Sequence, residues 1–153
     1  MNYWLNIHHP PLQHESQSCY VYLQRKNGHW KEEFNKGDLA FIYETKTSPG
    51  KVIVTDERGT RVVILEEEGR GGIIALVKIS SDFIRDPHTW NDIPFIGHFE
   101  TQVVKRKFVS RQEINRARLK KGLRAFNPRV NGGLRKVKAD EFKIMKKLVG
   151  LNQ

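Results

Sequence analysis

The sequence predicts an α+β fold, organised as a small, partly closed β-barrel with flanking helices. Strand-like segments predominate along the 153 residues, and two helical segments lie in the C-terminal half. The segment around which the others are organised, residues 37–45, begins with a Gly-Asp turn and continues as an apolar run of aromatic and β-branched residues. That pattern is typical of a strand buried on at least one face, so the other strands are expected to pack around it.

Length and composition predict one domain with one core, spanning residues 1–153. The chain has a mass of 17.8 kDa and is 38% hydrophobic and 10% aromatic. The single cysteine, Cys19, excludes an intrachain disulfide and a cysteine-based zinc site. No apolar run approaches the ~20 residues that span a bilayer, and the N-terminus lacks the pattern of a signal peptide. We therefore expect a cytoplasmic protein with no membrane partner, metal or cofactor.

The N-terminal segments are bounded by proline and by turn residues. Tyr3–His8 is predicted as the first strand, because the prolines that follow it prevent further ladder pairing. Residues 19–23 fit either a strand or a helix. Trp30 and Phe34 are four residues apart and would share one face of a short helical turn.

The middle of the chain predicts a hairpin, a central strand and a loop. Residues 52–54 and 62–65 form the hairpin around a polar reversal. Residues 73–79 are apolar on both faces until Lys78, as expected of a central strand. Residues 82–94, which contain two prolines, are predicted as a loop with a tryptophan near the middle.

The C-terminal part begins with a strand over residues 99–109. Ser110 and Glu113 match a capping box, which predicts a helix that continues to about Lys121. A basic loop then leads into a last short strand. Residues 139–149 are predicted as a second helix, whose core-facing residues at helical spacing are Phe142, Met145, Leu148 and Val149.

Positive charge is concentrated in this C-terminal part. The net charge is +10, but residues 105–147 contain 16 of the 27 Lys and Arg residues and only 3 of the 17 acidic ones, so the rest of the chain is net acidic. A one-sided positive field indicates a polyanion partner, most commonly nucleic acid, although a solvated charged face is the alternative. The residues expected to contact the nucleic-acid backbone are Arg116, Arg118, Lys120, Lys121, Arg124, Arg129, Arg135 and Lys136.

Three segments in order carry a resemblance to a known family. They are Tyr3-Trp4-Leu5-Asn6-Ile7, the Gly-Asp-Leu-Ala-Phe-Ile-Tyr strand that begins at Gly37, and Gly72–Ile79. Together they resemble an EVE domain, a branch of the PUA-like superfamily related to YTH domains, from Tyr3 to about Val149. The resemblance implies a small mixed β-barrel. Several family members bind a modified nucleobase in an aromatic pocket, and others form the front part of modification-dependent restriction enzymes.

Signatures of enzymatic chemistry are not found. The six histidines are scattered, no His-Glu-x-x-His or Gly-x-Ser-x-Gly pattern occurs, and the run Glu66-Glu67-Glu68 places its acids side by side rather than opposed. We therefore expect a non-catalytic protein, although a nuclease with dispersed ligands remains an alternative.

Aromatic residues suggest how a base would be bound. A base removed from its stack is held between aromatic faces while Lys and Arg fix the backbone. Trp4 and Phe41 lie inside apolar strands and are expected in the core. The candidates for the modified-base pocket are Trp30, Tyr43, Trp90, Asn27 and Phe95.

Three functions of different classes follow from these observations. The first is a domain that recognises a modified base, methylated cytosine or adenine, in DNA by flipping it into an aromatic pocket. It would be the targeting module of a restriction or defence system, with a nuclease or NTPase motor as partner or fused domain. The second is an RNA-binding module that acts on modified RNA. The third is a nucleic-acid-modifying enzyme or a small-ligand binder.

Overall fold

The structure is a computed structural model that describes residues 1–8, 20–46, 50–65, 68–121 and 133–151, with the side chains of 118–121 excepted. Within these ranges ten strands form two five-stranded sheets. The elements are β1 (Tyr3–His8), β2 (Val21–Gln24), a 3-10 helix (Arg25–Glu33), β3 (Leu39–Glu44), β4 (Lys51–Asp56), β5 (Arg61–Leu65), β6 (Gly72–Ile79), β7 (Ile84–Trp90), β8 (Ile93–Phe99), β9 (Thr101–Ser110), α1 (Arg111–Lys121), β10 (Leu134–Val137) and α2 (Ala139–Leu148).

The two sheets differ in strand direction. The first sheet has the order β10-β1-β3-β6-β9 and is mixed, because β1 and β3 are parallel whereas the other neighbours are antiparallel. The second has the order β2-β8-β7-β4-β5 and is antiparallel. The predicted α+β class is confirmed, with one difference: the sheets do not close into a barrel. Where β1 approaches β2, the side chain of Asn6 makes the hydrogen bonds that a continuous ladder would otherwise provide.

Two hydrophobic cores lie on opposite faces of the first sheet, where length and composition predicted a single one. On one face the sheet packs against both helices, and we call this the helix-side core; it contains Leu5, Phe41, Tyr43, Ile73, Leu76, Val109, Ile114, Ala117, Val137, Phe142, Met145 and Val149. The other face packs against the second sheet and forms the sheet-side core, with Trp4, Val21, Leu23, Phe34, Ala40, Ile42, Ile74, Ala75, Val77, Ile79, Phe99 and Leu134. The molecule is thus a helix layer and two sheet layers, with the first sheet in the middle.

The central strand β3 is positioned by its turn. Gly37 adopts φ +94, a conformation that favours glycine. The buried Asp38 carboxylate accepts hydrogen bonds from the backbone N–H of Asn2 and Asn35 and from the indole N–H of Trp4. One side chain therefore ties the start of β1 to the turn before β3. Trp4 and Phe41 are fully buried, which confirms their expected place in the core.

Residues 82–94, expected as a loop, instead form most of the β7–β8 hairpin. A tight turn at Asn91 and Asp92, with φ of 47 and 66, reverses the chain between the two strands. The prolines do not prevent pairing: Pro87 lies within a register shift, and Pro94 pairs with Thr89. The loop prediction is wrong because proline does not always end a strand: irregular ladder positions accommodate it.

The helices follow the prediction closely. Ser110 Oγ accepts a hydrogen bond from the Glu113 N–H, and Glu113 accepts one from the Ser110 N–H, so the capping box is confirmed. In α2, Phe142 and Met145 are buried against the first sheet. No helix in the described ranges has both the length and the apolar character needed to cross a membrane.

Residues 19–23, for which strand and helix were both open, contain a strand in their described part, β2. The predicted helical turn at Trp30 is a 3-10 helix of nine residues. The predicted strand over residues 99–109 is divided at Glu100, where β8 ends and β9 begins.

Candidate functional site

Five aromatic and imidazole rings gather on one face of the second sheet. Val21 and Leu23 of β2 point into the sheet-side core. Side chains alternate along a strand, so the Tyr22 ring projects from the opposite face. We call the group on this face the ring cluster; its members are Tyr20, Tyr22, His88, Phe95 and His98, all of them partly exposed.

The ring cluster contains two stacked pairs on either side of Tyr22. Tyr20 and His98 stack with centroids 4.4 Å apart and planes at 16°. His88 and Phe95 stack at 5.1 Å and 6°. Tyr22 meets Phe95 edge-to-face at 6.2 Å and His98 at a tilt at 5.9 Å. Partly exposed flat faces of this kind are suited to a planar ligand, because π-faces stack regardless of the ligand's hydrogen-bonding pattern.

The end of β1 adds polar groups beside these rings. Asn6 is fully buried; its amide donates to the carbonyls of Tyr22 and Gly133, and its Oδ1 accepts from the Tyr22 N–H at 3.0 Å. The His8 ring lies 5.3 Å from the Tyr22 ring. The first sheet is therefore joined to the ring cluster through the Asn6 side chain, whose amide nitrogen and oxygen are both engaged in hydrogen bonds.

The same contacts determine the proton position on His8. Three backbone partners fix the orientation of the Asn6 amide, so Asn6 Oδ1 is an acceptor where it meets His8 Nε2 at 2.7 Å. His8 Nε2 must therefore donate, because a carbonyl oxygen cannot. The ring orientation of His8 is thus set by the backbone of β2 through Asn6.

Gly133, which directly precedes β10, also contacts Asn6 beside the ring cluster. Its carbonyl accepts from the Ile7 N–H at 2.8 Å and from the Asn6 amide. Its φ is +106, and a Cβ there would lie 2.7 Å from the Gln24 amide nitrogen and 3.4 Å from that of Asn27. Both of these amide side chains are buried. A glycine is thus required where the chain enters β10. The amide side chains of Gln24 and Asn27 pack against this glycine.

Burial lowers the pKa of His98 below its usual value, although the charges of Asp86 and Glu100 act in the opposite direction and His88 acts in the same direction as burial. The Nδ1 of His98 is buried and lies 3.8 Å from the Asp86 carboxylate, beyond hydrogen-bonding distance. His98 is consequently a neutral ring at neutral pH. A neutral imidazole has one donor and one acceptor and can stack without the cost of burying a charge.

Two of the residues expected in the pocket lie at or next to the ring cluster. Phe95 is one of its members, and Asn27 is buried beside Gly133. Trp90 lies two residues beyond His88 on β7, and its partner Ile93 is two residues before Phe95 on β8. The alternation of side chains therefore puts Trp90 on the same face as His88 and Phe95, further along the hairpin.

The other two expected pocket residues lie elsewhere. Trp30 packs on the sheet-side core, with its ring 5.5 Å from that of Trp4. Tyr43 is buried in the helix-side core. The first sheet separates these two positions, so the structure does not bring Trp30, Tyr43 and Trp90 together around one base.

The expected backbone-contacting cations have different environments. Arg116 is exposed on α1, and Lys136 is exposed on β10, where its Nζ lies 3.3 Å from Glu33. The Arg135 side chain is only 15% exposed, and its guanidinium donates to the buried Glu141 carboxylate at 3.3 Å. A contact of Arg135 with a nucleic-acid backbone stays a prediction. The other expected cations have side chains outside the described part of the chain: Arg118, Lys120, Lys121, Arg124 and Arg129.

Sequence reasoning missed Tyr22, His88 and His98 as members of the candidate site. The two histidines are scattered in the sequence, and they meet only because β7 and β8 pair, with His88 opposite Phe95. One signal was present in the sequence: Tyr20 and Tyr22 alternate with apolar residues, which is the pattern of a strand with one aromatic face.

Across the described residues, no group of three or more His, Cys, Asp or Glu side chains is arranged to hold a metal ion. The rings of the cluster offer flat faces for stacking, and the imidazoles of His88 and His98 also offer hydrogen-bonding groups.

No protein-family model matches the chain, and no curated protein matches it in sequence. Solved structures that are similar to it over nearly its whole length include the following two. Human THYN1 protein, solved in complex with 5-methylcytosine containing DNA, has a TM-score of 0.62 and 14% identity, covering 98% of this chain and 98% of its own. Rpa0253 from Rhodopseudomonas palustris, solved by NMR, has a TM-score of 0.57 and 17% identity, covering 100% of this chain and 96% of its own.

Proposed function

We propose that this chain, whose fold is that of an EVE-like domain of PUA-like architecture, binds nucleic acid and recognises a modified base, methylated cytosine or adenine, in DNA. The observation that carries the proposal is the ring cluster, in which stacked pairs of rings lie beside the Asn6 hydrogen-bond network. The THYN1 structure supports the choice of DNA, because a protein of the same fold was solved with 5-methylcytosine containing DNA.

In this proposal the base leaves the duplex stack and lies against the ring cluster. Stacking on an aromatic side chain contributes about 1–3 kcal/mol per base, which is comparable to the few kcal/mol needed to extract a base. Tyr22 is the central ring, because it meets Tyr20, Phe95 and His98, and Phe95 connects it to His88. An added methyl group gains further apolar contact with these rings, about 0.8 kcal/mol when fully buried.

Hydrogen bonds to the polar edge of the base supply the second part of recognition. Asn27 is the candidate retained from the sequence, and the neutral imidazole of His98 is a candidate from the structure. Amide and imidazole groups both offer a donor and an acceptor, which is what the edge of a cytosine or adenine requires.

Exposed cations would hold the phosphate backbone. Arg25 and Lys26 directly follow β2 and are exposed. Arg116 on α1, in the helix layer, and Lys136 on β10 are also exposed and would contact more distant phosphates. Such contacts do not depend on the base and set the affinity for all sequences. We further propose that the domain is non-catalytic and serves as the targeting module of a restriction or defence system, with a nuclease or NTPase motor as partner.

The test is a titration of matched modified and unmodified DNA and RNA oligonucleotides with two variants that make the same substitution. Phe95→Ala removes a ring of the cluster, whereas Phe108→Ala removes a 39% exposed ring from β9, in the other sheet. We expect Phe95→Ala to lose the preference for the modified strand while retaining charge-driven binding, and Phe108→Ala to keep the preference. A preference for modified RNA over modified DNA would favour an RNA-binding module instead.

A further inference from the structure

β5 forms an exposed apolar edge of the second sheet. It is the last strand in the sheet order, and within the described residues only β4 pairs with it. Its apolar side chains are among the most exposed in the molecule: Val62 is 53% exposed, Val63 60% and Leu65 73%. This edge lies at the opposite end of the sheet from β2, so it is not part of the ring cluster.

Both faces of β5 are apolar. Val63 and Leu65 are two residues apart and point to one face, and Val62 points to the other. A partner laid flat against the sheet would cover only one of these faces. An added strand would cover both, because its own side chains alternate in the same way, and it would also pair the backbone groups at the edge.

Alternate N–H and C=O groups of β5 point away from β4, where an added strand could pair with them. The hairpin begins with a hydrogen bond from the Asp56 N–H to the Thr60 carbonyl, and the register then pairs Val54 with Val62. Hydrogen-bonded and non-hydrogen-bonded pairs alternate in an antiparallel ladder. The N–H and C=O groups that point away from β4 are therefore those of Arg61, Val63 and Leu65.

Features that normally protect an edge strand are missing from β5. Natural edges carry lysines, prolines or bulges that prevent a further strand from adding. Arg61–Leu65 has no proline and pairs with β4 in five consecutive positions without a shift. Its single charged residue, Arg61, is at the start of the strand, so the middle of the edge is unprotected.

A second copy of the same strand is complementary to this edge. In an antiparallel pair centred on Val63, each Val63 faces the other, Val62 faces Ile64, and Arg61 faces Leu65. All outward-pointing backbone groups then find partners. Arg61 of each strand then lies beside Leu65 of the other, so no like charges face each other along the paired segment. The excess positive charge resides in residues 105–147, outside this hairpin.

We propose that two copies of this chain associate through antiparallel pairing of their β5 strands, which joins the two second sheets into one ten-stranded sheet across a twofold axis. The interface consists of backbone hydrogen bonds at three residue pairs and the apolar side chains beside them. The proposal does not depend on the proposed function, because the ring cluster lies on other strands.

Sedimentation velocity over a concentration series tests this association with a matched pair of variants. Val63→Lys places two like charges opposite each other at the twofold axis, whereas Val104→Lys makes the same change at a 44% exposed position on the edge strand β9. We expect the parent to form dimers as concentration rises, Val63→Lys to raise the dimer dissociation constant about tenfold or more, and Val104→Lys to leave it unchanged. Melting temperatures verify that both variants fold.

A cross-linking experiment fixes the register. In a Cys19→Ser background, Val63→Cys would place two thiols across the axis with Cα atoms about 5.5 Å apart, within the range that disulfides span. We expect oxidation to give a covalent dimer with Val63→Cys and none with Val104→Cys. A parent that stays monomeric at every concentration, or a dimer that survives Val63→Lys, would overturn the proposal and leave the edge open to a strand of another protein.

Discussion

Asn6 shows how one residue can connect the fold to the site. It is a fully buried amide in the first strand, and its hydrogen bonds reach both Tyr22 and Gly133. The sequence places it within an apolar run, where its alternation with Leu5 and Ile7 indicates a shared face with Trp4. The identity of its partners could not be predicted, because they are 16 and 127 residues away along the chain.

Replacing Asn6 by leucine should lower the free energy of unfolding by about 1–3 kcal/mol, because the partly buried N–H of Tyr22 and the carbonyls of Tyr22 and Gly133 lose their partner. Urea denaturation measures this loss. Asn35→Leu is the control, since Asn35 is exposed and should change stability by less than about 0.5 kcal/mol. Equal stability of both variants would contradict the role assigned to the amide.

The lowered pKa of His98 predicts how the stability of the folded protein depends on pH. Its pKa in the folded protein is lowered, chiefly by burial, so the unfolded chain binds a proton at a higher pH than the folded one. The stability that neutral His98 contributes is therefore present above about pH 6.5, the ordinary pKa of histidine. It is lost as the pH falls from there toward the lowered pKa of His98 in the folded protein. Thermal unfolding across this range should show a decline that His98→Phe reduces. A decline of the same size in the variant would assign it to another group.

At the scale of elements, β8 depends on close packing at Gly97. A Cβ at this position would lie 2.1 Å from the Ile84 carbonyl oxygen and 2.6 Å from the Phe83 ring. β8 also carries Phe95 and His98 on either side of this glycine, so displacement of the strand would alter the ring cluster.

Gly97→Ala should therefore destabilise the domain by about 1–3 kcal/mol or more and weaken base recognition, because backbone and ring must both move. Gly28→Ala is the matched control: its added Cβ meets only the Ile96 side chain at 3.4 Å. Circular dichroism melting distinguishes the two variants. A Gly97→Ala protein as stable as Gly28→Ala would show that β8 is not packed as described.

The elements that the sequence predicted well are those with local signals. The capping box at Ser110 and the helical spacing in α2 depend on residues three or four positions apart, and both are confirmed. The β7–β8 hairpin was missed because its strands contain prolines and partly polar faces, and its formation depends on a neighbouring strand rather than on local pattern. The same dependence concealed His88 and His98.

For the molecule as a whole, the fold class could be predicted from the strand-like and helical segments of the sequence, whereas the grouping of residues in the ring cluster could not. The ring cluster is assembled from β2, β7 and β8, and Asn6 joins it from the first sheet. Of the residues expected in the pocket, Phe95 belongs to the ring cluster and Asn27 lies near it. Tyr43 lies in the helix-side core, on the face of the first sheet that is turned away from the second sheet. Aromatic residues in a strand can face either of two cores, and spacing alone does not distinguish the faces.

The measurement that tests the central claim most directly is the ratio of dissociation constants of one DNA sequence with and without its methylated base, determined at several salt concentrations. We predict that the methylated strand binds more tightly by about fourfold or more, since burying a methyl group contributes about 0.8 kcal/mol. Both strands should show the same salt slope, because their phosphate contacts are identical. Equal affinities with equal slopes would contradict the account and leave a protein that binds nucleic acid through charge alone.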